Sequence, residues 1–400
     1  MSAVRWAVLA AMCAGAVHAG GGSSDAGRRG DRTALWRRDG RDVLSGFRNL
    51  YNLRVVRVEG SRYPYRGWLF GWAVEDCNRN APGNRGCDAI FAARSRALDG
   101  PWEVWSGGDG WDATGNASRW RPVMTAQDRP WDEWHNGDPS VVRVGGRFYM
   151  AYSATGHNLD GKPYGVEGDR DGSILCIMGA VSADGVHWKR SPEPILIHRP
   201  DLGAPHVPHG ESHAFGSYHR PSLLHERGVF RLWFDYWHPG DGGVSMGYAE
   251  CRGDFLNPAH WRVLRAGRNP CLKQFPNPNV VRCGRLLHAF GDPPTGDPHP
   301  WITRRITEAV SADGLRWTVL GFVRADADAP AIHVPEAFVE PLAGGHRLHV
   351  FYACQNGGEP YDYRYSRIRR MYRDVLPSET ARLARELART SISERRRKGP

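Results

Sequence analysis

The sequence has no apolar run long enough to cross a membrane as a helix. Spanning requires about 20 apolar residues, and the apolar run at residues 7–17 is about half as long. Arg5 precedes this run and Val-His-Ala at residues 17–19 follows it, which is the order of charge, apolar core and cleavage site in a secretory signal peptide. We therefore expect residues 1–19 to be removed after Ala19, and the mature chain to be secreted or periplasmic without a membrane partner.

Cysteine is scarce, and no two cysteines are spaced as Cys-x-x-Cys, so a zinc site of that type is not expected. Seven of the 8 cysteines remain after removal of the signal peptide, in a compartment where disulfides persist. Two pairs bracket short segments and are candidates for local disulfides: Cys77 with Cys87, and Cys271 with Cys283. Cys176 and Cys354 lie in apolar strand patterns and are better explained as buried small hydrophobic residues.

A basic surface spread over the whole chain is also missing. The net charge is +10, but residues 367–400 contain 11 basic and 4 acidic residues and so carry +7 of it. The rest of the chain is close to neutral, which argues against a nucleic-acid partner. Leu383 and Leu387 lie among arginines at helical spacing, so we expect residues 376–400 to form a basic C-terminal helix and tail.

Helical periodicity is almost absent before residue 378, whereas 48 glycines and 28 prolines supply many turns. Residues 20–41 are rich in Gly, Ser and Arg and are predicted to be a flexible leader. Apolar alternation and turns then continue without a linker over residues 42–375. This pattern predicts a single all-β domain, which we expect to be a monomer.

Short apolar strands that open on a polar residue or a proline recur five times. They are Asn-Leu-Arg-Val-Val at 52–56, Asp-Pro-Ser-Val-Val at 138–142, Arg-Pro-Ser-Leu-Leu at 220–224, Asn-Pro-Asn-Val-Val at 277–281 and Pro-Glu-Ala-Phe-Val at 335–339. The starts are 86, 82, 57 and 58 residues apart, which is room for four strands and their loops but too long for a solenoid turn. The repeat predicts a five-bladed β-propeller.

Two further patterns recur within the predicted blades. Residues 147–153, 229–235 and 347–353 alternate aromatic and aliphatic residues with others, as strands packed between neighbouring blades do. Nearly identical hairpins, Ala-Val-Ser-Ala-Asp-Gly-x-x-Trp, occur at 180–188 and 309–317. Asp184 and Asp313 are predicted to form the turns of these hairpins through bonds to the loop backbone.

The innermost strand of each propeller blade lines a central channel, so the polar residues near the five strand starts should converge on one pocket. A concave site with carboxylates, amides, a guanidinium and aromatic walls fits a sugar better than an apolar ligand, so we expect a carbohydrate partner. The candidate substrate-binding residues are Asn52, Trp134, His135, His219, Arg220 and Asn277. We expect no cofactor and no metal-binding residues, because the histidines at 206–219 form only a weak metal pattern. An ion in the central channel is the open alternative.

Two segments carry a family resemblance. Asn-Gly-Asp-Pro-Ser-Val-Val at 136–142, followed by Gly-Gly-Arg-Phe-Tyr-Met-Ala-Tyr-Ser at 145–153, resembles the Asp-Pro inner strand of five-bladed glycoside hydrolases, especially family 43 and its family 32 relatives. Residues 335–339, leading to Arg-Leu-His-Val-Phe-Tyr-Ala at 347–353, resemble the strand that carries the acid in those families. As a pattern the resemblance covers most of residues 42–375.

The resemblance implies an exported glycosidase with a general base Asp, an acid Glu and a second Asp that tunes the acid. Asp138 matches the base and Glu336 matches the acid. The inner-strand positions available for the second Asp hold Arg220 and Asn277, so burial or another carboxylate has to raise the pKa of Glu336. Glu211, in a loop before the third inner strand, is an alternative acid.

The stereochemical outcome depends on the distance between the two carboxyl groups. A separation of about 6.5–9.5 Å admits a water and inverts the anomeric centre, whereas about 5–5.5 Å gives attack by the carboxylate and retention. Positions that face each other across the channel predict inversion, although the family 32 relatives imply an Asp nucleophile. The rival interpretation is a non-catalytic carbohydrate-binding propeller that has lost the third family carboxylate.

Overall fold

A computed structural model shows five antiparallel sheets of four or five strands, which confirms the predicted five-bladed β-propeller. The structure describes residues 30–46, 50–72, 88–125, 127, 129, 131–132, 135–156, 174–197, 218–238, 243–264, 269–293, 305–323, 332–354 and 366–397. The first strand of every blade contacts the first strands of both neighbouring blades, so the five inner strands form a closed ring.

Each blade is a meander of consecutive antiparallel strands. Blade I contains β2 (Tyr51–Arg57), β3 (Tyr65–Trp72), β4 (Asp88–Ser95), β5 (Trp102–Gly107) and β6 (Gly110–Asp112). Blade II contains β7 (His135–Val144), β8 (Arg147–Gly156), β9 (Ile174–Ser182), β10 (Lys189–Arg190) and β11 (Leu196–Ile197). Blade III contains β12 (Tyr218–Glu226), β13 (Val229–His238), β14 (Gly243–Cys251) and β15 (Trp261–Val263). Blade IV contains β16 (Asn279–Cys283), β17 (Leu286–Gly291), β18 (Ile306–Ser311) and β19 (Thr318–Val323). Short 3₁₀-helices lie at Thr33–Leu35, Ala117–Arg119 and Pro258–His260.

Blade V is completed by the N-terminal part of the chain. It contains β20 (Ile332–Leu342), β21 (Gly345–Cys354) and β22 (Arg367–Val375), and its outer strand is β1 (Arg37–Arg38). Arg37 pairs with Tyr372 in antiparallel register, and Asp39 accepts two hydrogen bonds from Arg370 at 2.7 and 3.0 Å. Blade V therefore includes Arg37 and Arg38, which lie inside the segment predicted as a leader. The sequence pattern does not reveal this strand, because two residues show no alternation.

A separate apolar cluster fills each of the five interfaces between neighbouring blades. One pair of buried residues illustrates each interface: Leu69 with Phe351, Trp68 with Met150, Ala151 with Leu232, Trp233 with Val280, and Phe290 with Val350. The predicted second strands β8, β13 and β21 supply much of this apolar surface. Because every cluster draws side chains from two blades, no blade buries its apolar faces alone.

The two repeated hairpins also join blades. Asp184 Oδ1 accepts hydrogen bonds of 2.9 Å from two loop amides, and Asp313 Oδ1 does the same in its own hairpin, as the sequence predicts. The indole of Trp68 in blade I donates to the Gly185 carbonyl at 2.8 Å. The indole of Trp233 in blade III donates to the Gly314 carbonyl, also at 2.8 Å. Each hairpin therefore anchors the second strand of the preceding blade.

The cysteines correct one prediction. Cys271 and Cys283 are free thiols and not a local disulfide. Cys271 packs against the cluster between blades III and IV, whereas Cys283 lies in the cluster between blades IV and V. Their places on different interfaces explain why proximity in sequence does not bring them together. Cys176 and Cys354 are free and buried, as predicted; the pair at positions 77 and 87 lies outside the described residues.

A single α-helix follows blade V in the described part of the chain, which confirms the predicted C-terminal helix. This helix, α1 (Pro377–Arg397), packs Leu383 against the propeller with only 4% of the residue exposed. Arg373 of β22 donates two hydrogen bonds to Glu379 in the first turn, at 3.0 and 3.2 Å. The described residues include no helix with the length and apolar composition needed to span a membrane.

Candidate functional site

One residue near the start of every inner strand adopts a left-handed backbone conformation. These residues are Asn52 (φ 63°), Asp138 (47°), Arg220 (45°), Asn277 (52°) and Val334 (51°). In blades I, II, III and V the strand pairing also shifts register across this residue, which marks a bulge. Such a kink redirects a side chain, and non-Gly residues with positive φ are uncommon enough to suggest a constrained site.

The fifth strand start is Val334, which corrects the alignment made from the sequence. Aligning the five left-handed residues places Glu336 two residues further along its strand than Asp138. Its equivalents in the other blades are Arg54, Ser140, Ser222 and Asn279. Polar side chains therefore occupy two successive levels of the channel, one with Asp138 and the next with Glu336.

At the first level, three basic side chains surround the carboxylate of Asp138, which is 1% exposed. Nε2 of His135 and Nε2 of His219 lie 3.7 and 3.5 Å from Asp138 Oδ2. Nε of Arg220 lies 3.9 Å from the other oxygen, Oδ1. Burial alone raises a carboxyl pKa, but Arg220 and the two histidines outweigh it and hold the pKa of Asp138 well below its usual range.

At the second level, Glu336 is 4% exposed and is bound through one oxygen. The Asn279 amide donates to Oε2, and Arg54 lies 3.6 Å from the same atom. No described residue makes a hydrogen bond to Oε1. Burial raises the pKa of Glu336 to about 8; Arg54 opposes this shift, and the negative charge of Asp138 adds to it. Glu336 is therefore protonated at neutral pH.

A ring of hydrogen bonds between blades holds this second level in place. Ser140 Oγ accepts from the Leu223 amide at 2.8 Å, and Ser222 Oγ accepts from the Val280 amide at 2.7 Å. Asn279 Oδ1 accepts from the amide next to Glu336 at 2.8 Å. Equivalent residues thus bind the next blade in turn, and Glu336 is positioned by this ring.

The two predicted amides at the first level bind neighbouring blades. Asn52 Nδ2 donates to the Pro139 carbonyl at 3.0 Å. Asn277 accepts from Arg220 and donates to Asp292. Both are buried. Trp134 and Glu211, the other two predicted site residues, lie outside the described residues.

Three buried aspartates support this site and were not predicted. Asp88 binds His135 Nδ1 at 2.9 Å, Asp235 Oδ1 accepts from the Asn277 amide at 2.7 Å, and Asp292 Oδ2 accepts from the Val334 amide at 2.9 Å. Asp235 interrupts the aromatic strand Trp-Phe-Asp-Tyr-Trp at residues 233–237, and that interruption is the signal that could have identified it.

Asp235 is a further buried carboxyl group close enough to Arg220 to interact with it. Burial raises the pKa of Asp235 to about 8 against the opposing effect of Arg220, and the negative charges of Asp292 and Asp138 contribute to the rise. The carboxyl lies in the second strand of blade III, beneath the inner strand that carries Arg220. The site therefore contains one ionised carboxylate, Asp138, and two protonated acids, Glu336 and Asp235.

Aromatic rings pack next to His135 at the first level. Tyr51 and Phe70 have ring centroids 4.3 Å apart, and Phe70 lies 5.3 Å from the ring of His135. His333 lies 5.5 Å from Tyr51 on the opposite side. Tyr51 and Phe70 are buried, so these rings form an apolar cluster beside the charged groups of the first level.

Solved structures of similar fold include glycoside hydrolases. Zg3597, a family 117 glycoside hydrolase produced by the marine bacterium Zobellia galactanivorans, matches with a TM-score of 0.55 and 14% identity over 86% of this chain and 91% of that chain. A structure described as a glycoside hydrolase matches with a TM-score of 0.57 and 14% identity over 86% and 92% of the two chains. The GH43_1 enzyme from Xanthomonas citri complexed with xylotriose matches with a TM-score of 0.51 and 14% identity over 82% and 88%. At these identities the similarity establishes the fold.

No protein-family model and no curated protein matches the chain.

Proposed function

We propose that this protein is an exported glycosidase that hydrolyses a glycosidic bond of an oligosaccharide or polysaccharide. The observation that carries the proposal is the opposite displacement of two carboxyl pKa values in one channel. The pKa of Asp138 lies well below its usual range, so Asp138 is ionised at neutral pH. The pKa of Glu336 is about 8, so Glu336 is protonated at neutral pH. Two carboxyl groups whose pKa values are shifted in opposite directions can act as a base and an acid. The fold is also that of known glycoside hydrolases.

In the proposed reaction Asp138 accepts a proton from a water molecule, and the water oxygen bonds to the anomeric carbon. Glu336 donates its proton from Oε1 to the glycosidic oxygen as the bond between that oxygen and the anomeric carbon breaks. One water is consumed, Asp138 becomes protonated and Glu336 becomes ionised, and proton exchange with solvent restores both groups. Attack by water on the face opposite the leaving group inverts the anomeric configuration.

The proposal explains how the acid works without the second Asp of the families that the sequence resembles. Burial is the main cause of the raised pKa of Glu336, and the negative charge on Asp138 assists it. Asn279 and Arg54 engage only Oε2, so they orient the carboxyl group while Oε1 stays available for proton transfer. Burial and orientation together can therefore replace a tuning carboxylate.

The test begins with a screen of arabinosides, xylosides, galactosides and fructosides. Glu336→Gln is then assayed on two aryl glycosides of the sugar that reacts, one with a good leaving group and one with a poor leaving group. Loss of a general acid lowers kcat by about 10²- to 10⁴-fold on the poor leaving group and by much less on the good one. Asp138→Asn is expected to lose activity on both substrates.

Glu340→Gln is the matched control, because Glu340 lies on the same strand but binds His349 at 3.2 Å outside the channel. It is expected to keep wild-type rates. Equal losses on both leaving groups in Glu336→Gln exclude the acid role of Glu336, and retained activity in Asp138→Asn excludes the base.

The second candidate function is carbohydrate binding without catalysis. Arg220 favours it, because a cation stands on an inner strand where the related hydrolases carry an acid, and a guanidinium binds hydroxyl and carboxylate oxygens well. Calorimetry of the wild-type protein with oligosaccharides distinguishes the two functions. Binding with no product after long incubation supports the binding protein, and appearance of reducing ends supports the enzyme.

Export is part of the proposal and has its own test. Expression of the full chain in a secreting host, followed by mass spectrometry of the intact protein, is expected to give a mature chain that begins at Gly20. A mass that includes Met1–Ala19 in the exported fraction argues against the proposed cleavage.

A further inference from the structure

A second cavity, which we call the V–I cavity, lies between blades V and I. Its volume is about 270 Å³, and its lining includes polar side chains from both blades: Arg96, Glu340, Arg347, His349, Arg370 and Tyr372. Glu340 lies six residues beyond Val334 on β20, which is about 20 Å along the strand at ~3.3 Å per residue. The V–I cavity is therefore at the other end of blade V from the first level of the channel.

The lining offers guanidinium groups beyond those that its acids use. Arg347 binds Asp374 through Nε and Nη2 at 2.6 and 3.1 Å, and Arg370 binds Asp39 through the same two nitrogens at 2.7 and 3.0 Å. No hydrogen bond between described residues uses Nη1 of either arginine. Arg96 is exposed and forms no ion pair with a described residue. Guanidinium donors of this kind bind carboxylates and other oxyanions.

Tyr372 holds two of these guanidiniums in place. The guanidinium carbons of Arg347 and Arg370 lie 5.2 and 5.4 Å from the centroid of its ring. Arg370 is 9% exposed, and its aspartate contacts fix it further. Side chains that are already ordered lose little conformational freedom when a ligand binds, so these donors are pre-organised for an anion.

His349 supplies the lining with a hydrogen-bond acceptor. Burial lowers the pKa of His349 to about 4; Arg370 adds to this shift and Glu340 opposes it, so the ring is neutral at neutral pH. Nε2 donates to Glu340 Oε2 at 3.2 Å, so Nδ1 carries the lone pair. Nδ1 is buried and has no hydrogen-bond partner among the described residues. A buried acceptor without a donor is costly, and a ligand hydroxyl is a donor that satisfies it.

These two requirements define a class of ligand. The guanidiniums need an anionic oxygen, and Nδ1 of His349 needs a hydroxyl donor. Sulfate carries no hydroxyl and a neutral sugar carries no anion, whereas a sugar acid carries both. Pockets for drug-sized ligands have volumes of about 300–1,000 Å³, so a cavity of about 270 Å³ suits a single sugar ring.

We propose that the V–I cavity binds one hexuronic acid. Its carboxylate lies against Arg96 and the Nη1 groups of Arg347 and Arg370, and one of its hydroxyls donates to Nδ1 of His349. The ligand is either a free sugar acid or the terminal residue of an acidic glycan, since both present the same groups. Binding at this site does not depend on the proposed hydrolysis.

The experiment titrates the mature chain with D-glucuronate and D-galacturonate by calorimetry near neutral pH. D-glucose and D-galactose lack the carboxylate, and cyclohexanecarboxylate lacks the hydroxyls. We expect one equivalent of at least one hexuronate to bind, and the comparison compounds to bind about 10-fold or more weakly, because each leaves one requirement unmet. Methyl glycosides of the two hexuronates identify the source. Equal affinity supports the end of a glycan, and weaker affinity supports the free acid.

Two variants test the two halves of the cavity. Arg96→Gln is expected to weaken hexuronate binding by about 10- to 100-fold. Arg252→Gln is the matched control, because Arg252 follows the third strand of blade III directly, as Arg96 follows that of blade I, and its side chain is 71% exposed. His349→Phe removes the acceptor and is expected to abolish the preference for hexuronate over cyclohexanecarboxylate. Thermal melting identifies a variant that fails to fold, and Arg96→Gln, at an exposed position, then remains decisive.

Glu336→Gln separates this site from the channel, because it alters only the channel and is expected to keep hexuronate binding. The proposal is overturned if the wild type binds no hexuronate, if neutral sugars bind as tightly, or if Arg96→Gln binds like the wild type. It is also overturned if Glu336→Gln loses binding while Arg96→Gln keeps it, since the hexuronate then occupies the channel. None of these outcomes bears on the hydrolysis of aryl glycosides, which is measured separately.

Discussion

Arg220 and Asp138 occupy the same backbone position in neighbouring blades, and Nε of Arg220 lies 3.9 Å from Oδ1 of Asp138. The guanidinium lowers the pKa of Asp138 and also opposes the burial that raises the pKa of Asp235. A cation at this position therefore favours the ionised form of Asp138, the proposed base, whereas the family resemblance implies a second Asp that tunes the acid.

Replacing Arg220 tests this relationship. An opposite charge within about 4–6 Å typically lowers a carboxyl pKa by about 1–3, so Arg220→Gln is expected to raise the pKa of Asp138. The acidic limb of the profile of kcat/KM against pH moves to higher pH as a result. Arg282→Gln is the control, because Arg282 lies on inner strand β16 but binds Glu226 outside the channel. An acidic limb that does not move contradicts the proposed base.

We expect Glu336, the proposed acid, to determine the alkaline limb of the same profile. The group donates a proton only while it is protonated, and its pKa is about 8. We expect kcat/KM of the wild type to be independent of pH near neutrality and to fall above about pH 8. The residual rate of Glu336→Gln is expected to lack this limb. A wild-type decline that begins near the ordinary pKa of a glutamate excludes Glu336 as the acid.

The propeller could be predicted because its signals are local. Alternating apolar strands and turn residues mark the blades, and the Asp-Gly hairpins at Asp184 and Asp313 repeat in sequence as they do in structure. His135, His219 and Arg220 lie within 3.9 Å of Asp138, as expected for residues at or beside inner-strand starts.

The remaining features depend on contacts between distant segments. Asp88 meets His135 across 47 positions, and Asp235 meets Asn277 across 42; no periodicity in the sequence reports such pairings. The start of blade V was one residue off, because Pro335 was aligned with Asp138, whereas Val334 and the proline after it are equivalent to Asp138 and its proline. Strand β1 was missed because two residues show no alternation.

The two protonated acids predict that stability falls as pH rises. The pKa values of Asp235 and Glu336 are about 8 in the fold, above the ordinary values of 3.8 and 4.5. Between these limits the folded chain binds more protons than the unfolded chain, so the free energy of unfolding decreases with pH by up to about 1.4 kcal/mol per pH unit for each group. Denaturant titrations between about pH 6.5 and pH 8 measure the slope, because below this interval His349, whose pKa burial lowers to about 4, contributes the opposite slope.

Asp235→Asn removes one titrating group and is expected to reduce this slope. Asp109→Asn is the control, because Asp109 is solvent exposed. A wild-type protein whose stability rises over the same pH interval contradicts the protonation states assigned to the channel, provided that unfolding is reversible.

The ring of hydrogen bonds between blades predicts the cost of losing one member. In Ser222→Ala the buried amide of Val280 loses the acceptor that lies 2.7 Å away. A buried donor without a partner costs about 1–3 kcal/mol, so the denaturation midpoint is expected to fall accordingly. Ser118→Ala, at an exposed serine, is expected to change stability by less than about 0.5 kcal/mol. The next bond in the ring joins Asn279 to the strand of Glu336, so Ser222→Ala is also expected to lower kcat. If stability and kcat are both unchanged, the ring does not position Glu336, the proposed acid.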